Sequence, residues 1–140
     1  MAKKIKKIVK LHIKAGEATP APPVGPALAQ HGVQIGEFCQ KFNELTREKK
    51  GSRIPTEVTV YEDRTYDIKL HEPPASELLR KIAGITKGSG NPNKKKVATI
   101  SKEQVREVAQ QKMPDLNTTD VNQAMRTISG TARSMGIDIK

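Results

Sequence analysis

The sequence predicts an α+β protein, in which a small N-terminal α+β domain (a three-stranded sheet with helices) is joined to a C-terminal all-α helical bundle. Three observations predict it. Before residue 72, apolar and polar residues alternate in three runs, the period of half-buried strands. Beyond residue 74, every apolar pattern recurs at helical spacing. Between the two regimes stands Pro73-Pro74, which neither strand pairing nor a helix interior tolerates. The domains are therefore expected at 1–72 and 73–140. A chain of 140 residues has room for one medium domain or two small ones.

In the first domain Val9, Leu11 and Ile13 alternate with Lys10, His12 and Lys14 to give the first strand. Thr19 to Pro26 then holds four of the nine prolines, each fixing φ and removing a backbone donor. The residue before each proline is pushed from the α region, so the run reads as stiff, extended or turned backbone leading into Ala27-Leu28-Ala29. It suits either a surface loop, a ligand for a proline-binding domain, or a preformed contact surface. Ile35, Phe38, Cys39, Phe42 and Leu45 share a helical face, with Gly51 as a stop. Val58 and Val60, then Tyr66, Ile68 and Leu70, form a hairpin around Glu62-Asp63-Arg64.

In the second domain Ala75, Leu78, Leu79 and Ile82 share a helical face that Gly84 ends. Ser101-Lys102-Glu103-Gln104 is a capping box, followed by Val105, Val108 and Ala109, with Pro114 as the stop. Asn117 is expected to cap a third helix bearing Val121, Ala124, Met125 and Ile128. A turn from Gly130 to Gly136 and an extended tail, Ile137-Asp138-Ile139, complete the pattern.

Charge narrows the function. The net charge is +10, and it lies in both halves: residues 1–72 carry 13 Lys+Arg against 9 Asp+Glu, residues 73–140 carry 12 against 6. A polyanion is the expected partner. No basic helix with a bulky apolar face is present to lie on a membrane, and no apolar run reaches the roughly 20 residues of a membrane span. The basic start lacks the apolar stretch of a signal peptide, so the expected location is cytoplasmic. The single cysteine, Cys39, excludes an internal disulfide.

Enzyme readings fail, and no cofactor or metal is implied. His12, His31 and His71 have no shared ligand spacing. Cys39 sits on an apolar helix face, as a packed thiol does. Adjacent Glu62 and Asp63 diverge on a strand or lie in a turn. Gly84 to Gly90 lacks the spacing of a phosphate-binding loop and follows a helix, not a strand.

The same glycines suit a nucleic-acid backbone better. Lys87-Gly88-Ser89-Gly90-Asn91-Pro92-Asn93-Lys94-Lys95-Lys96 joins close-approach glycines, short hydrogen-bonding side chains and four lysines. Gly130-Thr131-Ala132-Arg133-Ser134-Met135-Gly136 is a second candidate: Thr131 would cap a short helix whose free amides face an anion, with Arg133 reaching outward. A solvated loop and an ordinary inter-helix turn are the bland alternatives. Phe, Tyr and Trp are absent beyond residue 72, so base-stacking platforms are excluded and a folded RNA would be recognised by shape and backbone.

Several words resemble, in order, the family of bacterial large ribosomal subunit protein eleven. They are Pro22-Pro23-Val24-Gly25-Pro26-Ala27-Leu28, Glu37-Phe38-Cys39, Thr59-Val60-Tyr61-Glu62-Asp63-Arg64, Pro73-Pro74-Ala75, Lys87-Gly88-Ser89-Gly90, Lys112-Met113-Pro114-Asp115-Leu116 and Gly130 to Gly136. The resemblance implies a non-enzymatic structural protein of the large subunit at the stalk base. Its C-terminal domain would bind the GTPase-associated region of large-subunit rRNA. Its N-terminal domain would move against that RNA when translational GTPases bind, near stalk-base ribosomal protein ten, and serve the starvation response.

RNA contact carries over to Lys87, Gly88, Ser89, Gly130, Thr131, Ser134 and Met135; charge and position add Asn93, Lys94, Arg126 and Arg133. Pro22, Pro23 and Pro26 match the face where the family meets factors and thiopeptide antibiotics. Many members have Asn and Met where this chain has Gln34 and Gly36, and a methylated lysine where it has Gln40. Ala2 and Lys4 are then the methylation targets the resemblance leaves. The competing class is a helix-turn-helix DNA-binding regulator, with Asn122, Gln123 and Arg126 on its recognition helix. A proline-motif adaptor would leave the basic C-terminal half unexplained.

Overall fold

The computed structural model describes residues 2–22 and 24–140. The chain divides into two compact units, one ending at His71 and the other spanning Glu72–Lys140.

The first unit is a three-stranded antiparallel sheet in the order β1 (Ile5–Lys14), β2 (Arg53–Tyr61), β3 (Tyr66–Leu70). The alternation of the sequence becomes its register: Ile13 faces Ile54, Val9 faces Val58, and Val58 faces Ile68. One face therefore presents Leu11, Ile13, Ile54, Val58 and Val60 to a core. Two helices cover it, α1 (Val24–Ala29) through Val24 and Leu28, and α2 (Ile35–Leu45) through Phe38, Cys39 and Phe42. Phe38 lies 6.0 Å from the Tyr66 ring, edge to face, and 6.1 Å from Phe42. That cluster holds the two phenylalanines of the chain, so it supplies a large share of the unit's apolar burial.

Two expectations are corrected here. The proline run does enter a helix, because Pro26 occupies the third position of α1, where the amide it lacks would have no intrahelical partner. The second helix ends at Leu45, before a short 3₁₀ turn at Arg47–Lys49, and Leu45 is exposed at 60%. Its C-cap is Thr46, which is fully buried and whose hydroxyl donates to the Phe42 carbonyl at 2.7 Å.

The second unit contains α3 (Ala75–Ala83), α4 (Lys102–Lys112) and α5 (Val121–Ser134). Leu78 and Leu79 of α3 meet Val105, Val108 and Ala109 of α4 and Ala124, Ile128 and Ala132 of α5. Gly84 closes α3 in the left-handed conformation, φ 68°. The Ser101 capping box forms as the sequence predicts: the Gln104 amide donates to Ser101 Oγ, and the Ser101 amide to Gln104 Oε1. The third helix is capped by Asp120, not Asn117: its carboxylate accepts from the Asn122 amide at 2.9 Å.

The unit is not all-α. β4 (Ala98–Ile100) and β5 (Ile137–Ile139) pair in parallel, with Ile100 opposite Ile139 and Ala98 opposite Ile137. Ile100 and Ile137 are buried beneath this ribbon. A parallel pair needs a long crossover, and α4 and α5 supply it.

Candidate nucleic-acid interface

The C-terminal end of α5 holds the loop that follows α3. The Ser89 amide donates to the Met135 carbonyl at 2.9 Å, and the Val97 amide to the Gly136 carbonyl at 2.9 Å. Within the loop, Ser89 Oγ accepts from the Asn91 amide, and the Asn91 carbonyl accepts from the amides of Lys94 and Lys95. The two segments meet through glycine. Gly136 has φ 76°, and a Cβ there would lie 2.6 Å from Ser89 Cβ and 3.0 Å from the Lys95 carbonyl oxygen. At Gly88 a Cβ would come 3.3 Å from the Met135 carbonyl oxygen.

This contact brings Gly88 and Ser89 against Met135, with Lys87, Asn93 and Lys94 exposed on the same loop. Lys96 is the exception among the lysines, since it pairs with Asp138 at 3.4 Å. Lys87, Lys94, Lys95, Arg126 and Arg133 form no ion pair among the described residues. Their charge is therefore available to an anion from outside.

Along α5 the predicted residues divide between two stripes. Arg126, Gly130 and Arg133, spaced by four and three residues, line a groove of about 410 Å³ with Ser129, Ile137, Asp138 and Ile139. Asp138 and the β5 isoleucines were not predicted, because only the pairing of β4 with β5, which the sequence shows no more than as an extended tail, puts them beside α5; Ser129 joins them from α5 itself. The other stripe holds Thr127, Thr131 and Ser134.

The mechanism expected for Thr131 is corrected. α5 runs unbroken through Gly130 and Thr131, so no helix begins there and no free amides face an anion. Instead the Thr131 hydroxyl donates back to the Thr127 carbonyl at 3.4 Å, and the Ser134 hydroxyl to the Thr131 carbonyl at 2.7 Å. A hydroxyl whose proton is engaged in this way still offers lone pairs outward. Such groups accept from a 2′-hydroxyl or a base amine better than they bind a phosphate oxygen, which is itself an acceptor.

Gly130 has a different standing from Gly88 and Gly136. Nothing lies within 4 Å of the place its Cβ would take, so the protein's own packing does not require a glycine there. Within a helix this residue costs about 1 kcal/mol relative to alanine.

In the first unit the backbone leading into the proline segment is held by side chains. The Gly16 amide donates to Thr46 Oγ1 at 2.9 Å, and Asn43 clasps both backbone groups of Ala18. Gly25 faces the Pro20 carbonyl oxygen so closely that any Cβ would overlap it. Pro22 and Pro26 are exposed; Pro23, the third predicted contact, lies outside the described residues. Ala2 and Lys4 are exposed as well. Cys39 is buried, and burial pushes its thiol pKa up, as expected of a packed cysteine. No cluster of metal-ligating side chains occurs among the described residues, and no helix there is long and apolar enough to cross a membrane.

A basic, glycine-rich surface without aromatic side chains, on a small helical unit, defines a protein of the class that binds folded nucleic acid by its backbone. Residues 71–139 match the model of the ribosomal protein L11 RNA-binding domain, and residues 9–66 that of the ribosomal protein L11 N-terminal domain. The chain belongs to the ribosomal protein L11 family, a family of structural proteins that bind large-subunit rRNA in the cytoplasmic ribosome. Membership displaces the DNA-regulator reading.

Proposed function

We propose that the C-terminal unit binds the GTPase-associated region of large-subunit rRNA at the base of the stalk. It would do so through Lys87, Gly88, Ser89, Asn93 and Lys94 of the loop and Arg126, Gly130, Thr131, Arg133, Ser134 and Met135 of α5. The observation that carries this reading is the joining of loop and helix end through Gly88, Ser89, Met135 and Gly136. A preorganised surface of this kind can match one RNA shape without paying to order a loop on binding. The N-terminal unit would present Pro22, Pro23 and Pro26 to translational GTPases and to thiopeptide antibiotics, beside ribosomal protein ten. Ala2 and Lys4 would be the sites of methylation.

The test separates the two kinds of contact. Replacing Lys87 and Lys94 with alanine should weaken binding to the folded rRNA fragment and to a scrambled RNA alike, lowering the salt slope by roughly one for each lost phosphate contact. Thr131→Leu should cost about 1–3 kcal/mol on the folded fragment, by leaving RNA polar groups unpaired, with the slope unchanged. Equal losses on both RNAs for Thr131→Leu would overturn the shape-recognition account.

A further inference from the structure

The outer face of the N-terminal sheet is not used by the reading above. The register fixes what it carries. Residues alternating with the buried set point away from the helices, and they fall in rows across the strands: Lys10 opposite Glu57 opposite Lys69, then His12 opposite Pro55, then Lys14 opposite Arg53. His71 extends the second row, since its amide donates to the Pro55 carbonyl at 3.0 Å. Lys10, His12, Lys14, Arg53 and Lys69 are all exposed.

Toward the hairpin end Asp67, Glu62 and Asp63 are met by the lysines at the start of β1, and Lys3 pairs with Asp63 at 3.2 Å. The end formed by the last residues of β1 and the first of β2 carries Lys14, Arg53 and His12, with Glu17 beside them. Glu57 is the carboxylate among the basic rows. It pairs with Lys10 at 3.4 Å and with His71 Nε2 at 3.6 Å. Its partial burial works to raise its pKa, yet the carboxyl lies below its ordinary value, because Lys10, His71 and Lys69 outweigh the desolvation. Lys14 and Lys69 have no ion pair among the described residues.

We propose that this face is a second RNA-binding surface, on which Lys10, Lys14, Arg53 and Lys69 hold the phosphate backbone of an RNA strand. Lys10 and Lys14, four residues apart on β1, stand about 13 Å apart, so a phosphate backbone that crosses the face can meet both the Lys10–Lys69 row and the Lys14–Arg53 row. An acidic protein would fit less well. Protein interfaces centre on apolar or aromatic anchors and exclude charge from the middle, whereas here the middle is Glu57 between two lysines. Interfaces with nucleic acid are polar and positively charged throughout. Between the two basic rows lie His12 and Pro55.

The surface does not depend on the C-terminal unit, and the experiment keeps the two apart. The full chain is first saturated with the folded rRNA fragment, whose affinity is measured separately, and a structured RNA hairpin is then titrated at several salt concentrations. Lys14→Glu/Lys69→Glu should leave the affinity for the rRNA fragment unchanged. It should weaken hairpin binding on the order of tenfold and lower the salt slope by roughly one to two. Lys14→Gln/Lys69→Gln, which removes charge without adding repulsion, should move both readings in the same direction by less. Arg47→Glu/Lys50→Glu, an equal charge change elsewhere in the unit, is the control. Equal loss in the control would show that net charge alone is responsible and would overturn the proposal. So would a loss of binding to a polyglutamate peptide as large as the loss on RNA.

Discussion

Each unit holds one irregular segment in place, and the two use different means. The backbone leading into the proline segment of the first unit is fastened by side chains: Asn43 of α2 and Thr46 at its end reach the backbone of Ala18 and Gly16. The lysine loop of the second unit is fastened mainly by backbone, with amides of Ser89 and Val97 donating to the carbonyls of Met135 and Gly136, and by one side-chain pair, Lys96 with Asp138. The first arrangement depends on the identity of two polar residues. The second depends on the absence of a side chain at Gly136 and, less strictly, at Gly88. The first also needs a glycine, Gly25 against the Pro20 carbonyl, so what sets it apart is its added reliance on polar side chains.

The largest expected effect follows from the second arrangement. Gly136→Ala places a Cβ where φ is 76° and where Ser89 Cβ would be 2.6 Å away. The left-handed conformation alone costs a non-glycine residue about 1–2 kcal/mol, and forcing the loop aside adds to that. A total destabilisation of about 3 kcal/mol is expected, together with loss of RNA affinity. All four aromatic residues lie in the first unit, so tyrosine fluorescence reports that unit and helical circular dichroism mainly the other. A shift in the dichroism transition with the tyrosine transition in place is the expected result. Equal shifts would mean that the loop is not held locally.

Thr46→Val should give the converse, with a smaller effect. It removes the acceptor of the Gly16 amide and the donor to the Phe42 carbonyl from a fully buried position while keeping the volume. About 2 kcal/mol is expected, the usual cost of stranding buried polar groups. The tyrosine transition should move, and RNA affinity should not. A thiopeptide titration should weaken as the proline segment loosens; unaltered thiopeptide binding would show that Thr46 does not position it.

What the sequence reveals follows what each element uses to announce itself. β1, the hairpin and α2 are long enough to show a period, and the Ser101 capping box is a local chemical pattern, so they are readable without a structure. β4 and β5 have three residues each, too few for any period, and their pairing joins positions nearly forty residues apart. The groove beside Arg126 and Arg133 stays hidden with them. At Thr131, glycine and threonine in succession imitate a helix start, but the apolar stripe of Ala124, Ile128 and Ala132 continues through them. Burial of that stripe overrides the local signal. Thr118-Thr119-Asp120 likewise hides which residue caps α5, since Asn117 and Asp120 are both able to cap and the bond from the Asn122 amide falls to Asp120.

The smallest effect is the most discriminating, because stability and function should move in opposite directions. Gly130 lies mid-helix, exposed, with nothing near the place of its Cβ. Alanine there should stabilise the second unit by up to about 1 kcal/mol, through higher helix propensity and a less flexible unfolded chain. If an RNA surface closes on this point, the added methyl must push it away, and affinity for the folded rRNA fragment should fall several-fold with no change in salt slope. Gly130→Ser tests the same space with a slightly larger group and should weaken binding further. Denaturation of the free protein and titration of the RNA, run on the same preparations, decide the matter. A variant that is more stable and binds as tightly as before would remove Gly130 from the interface and leave Arg126 and Arg133 to act by charge alone.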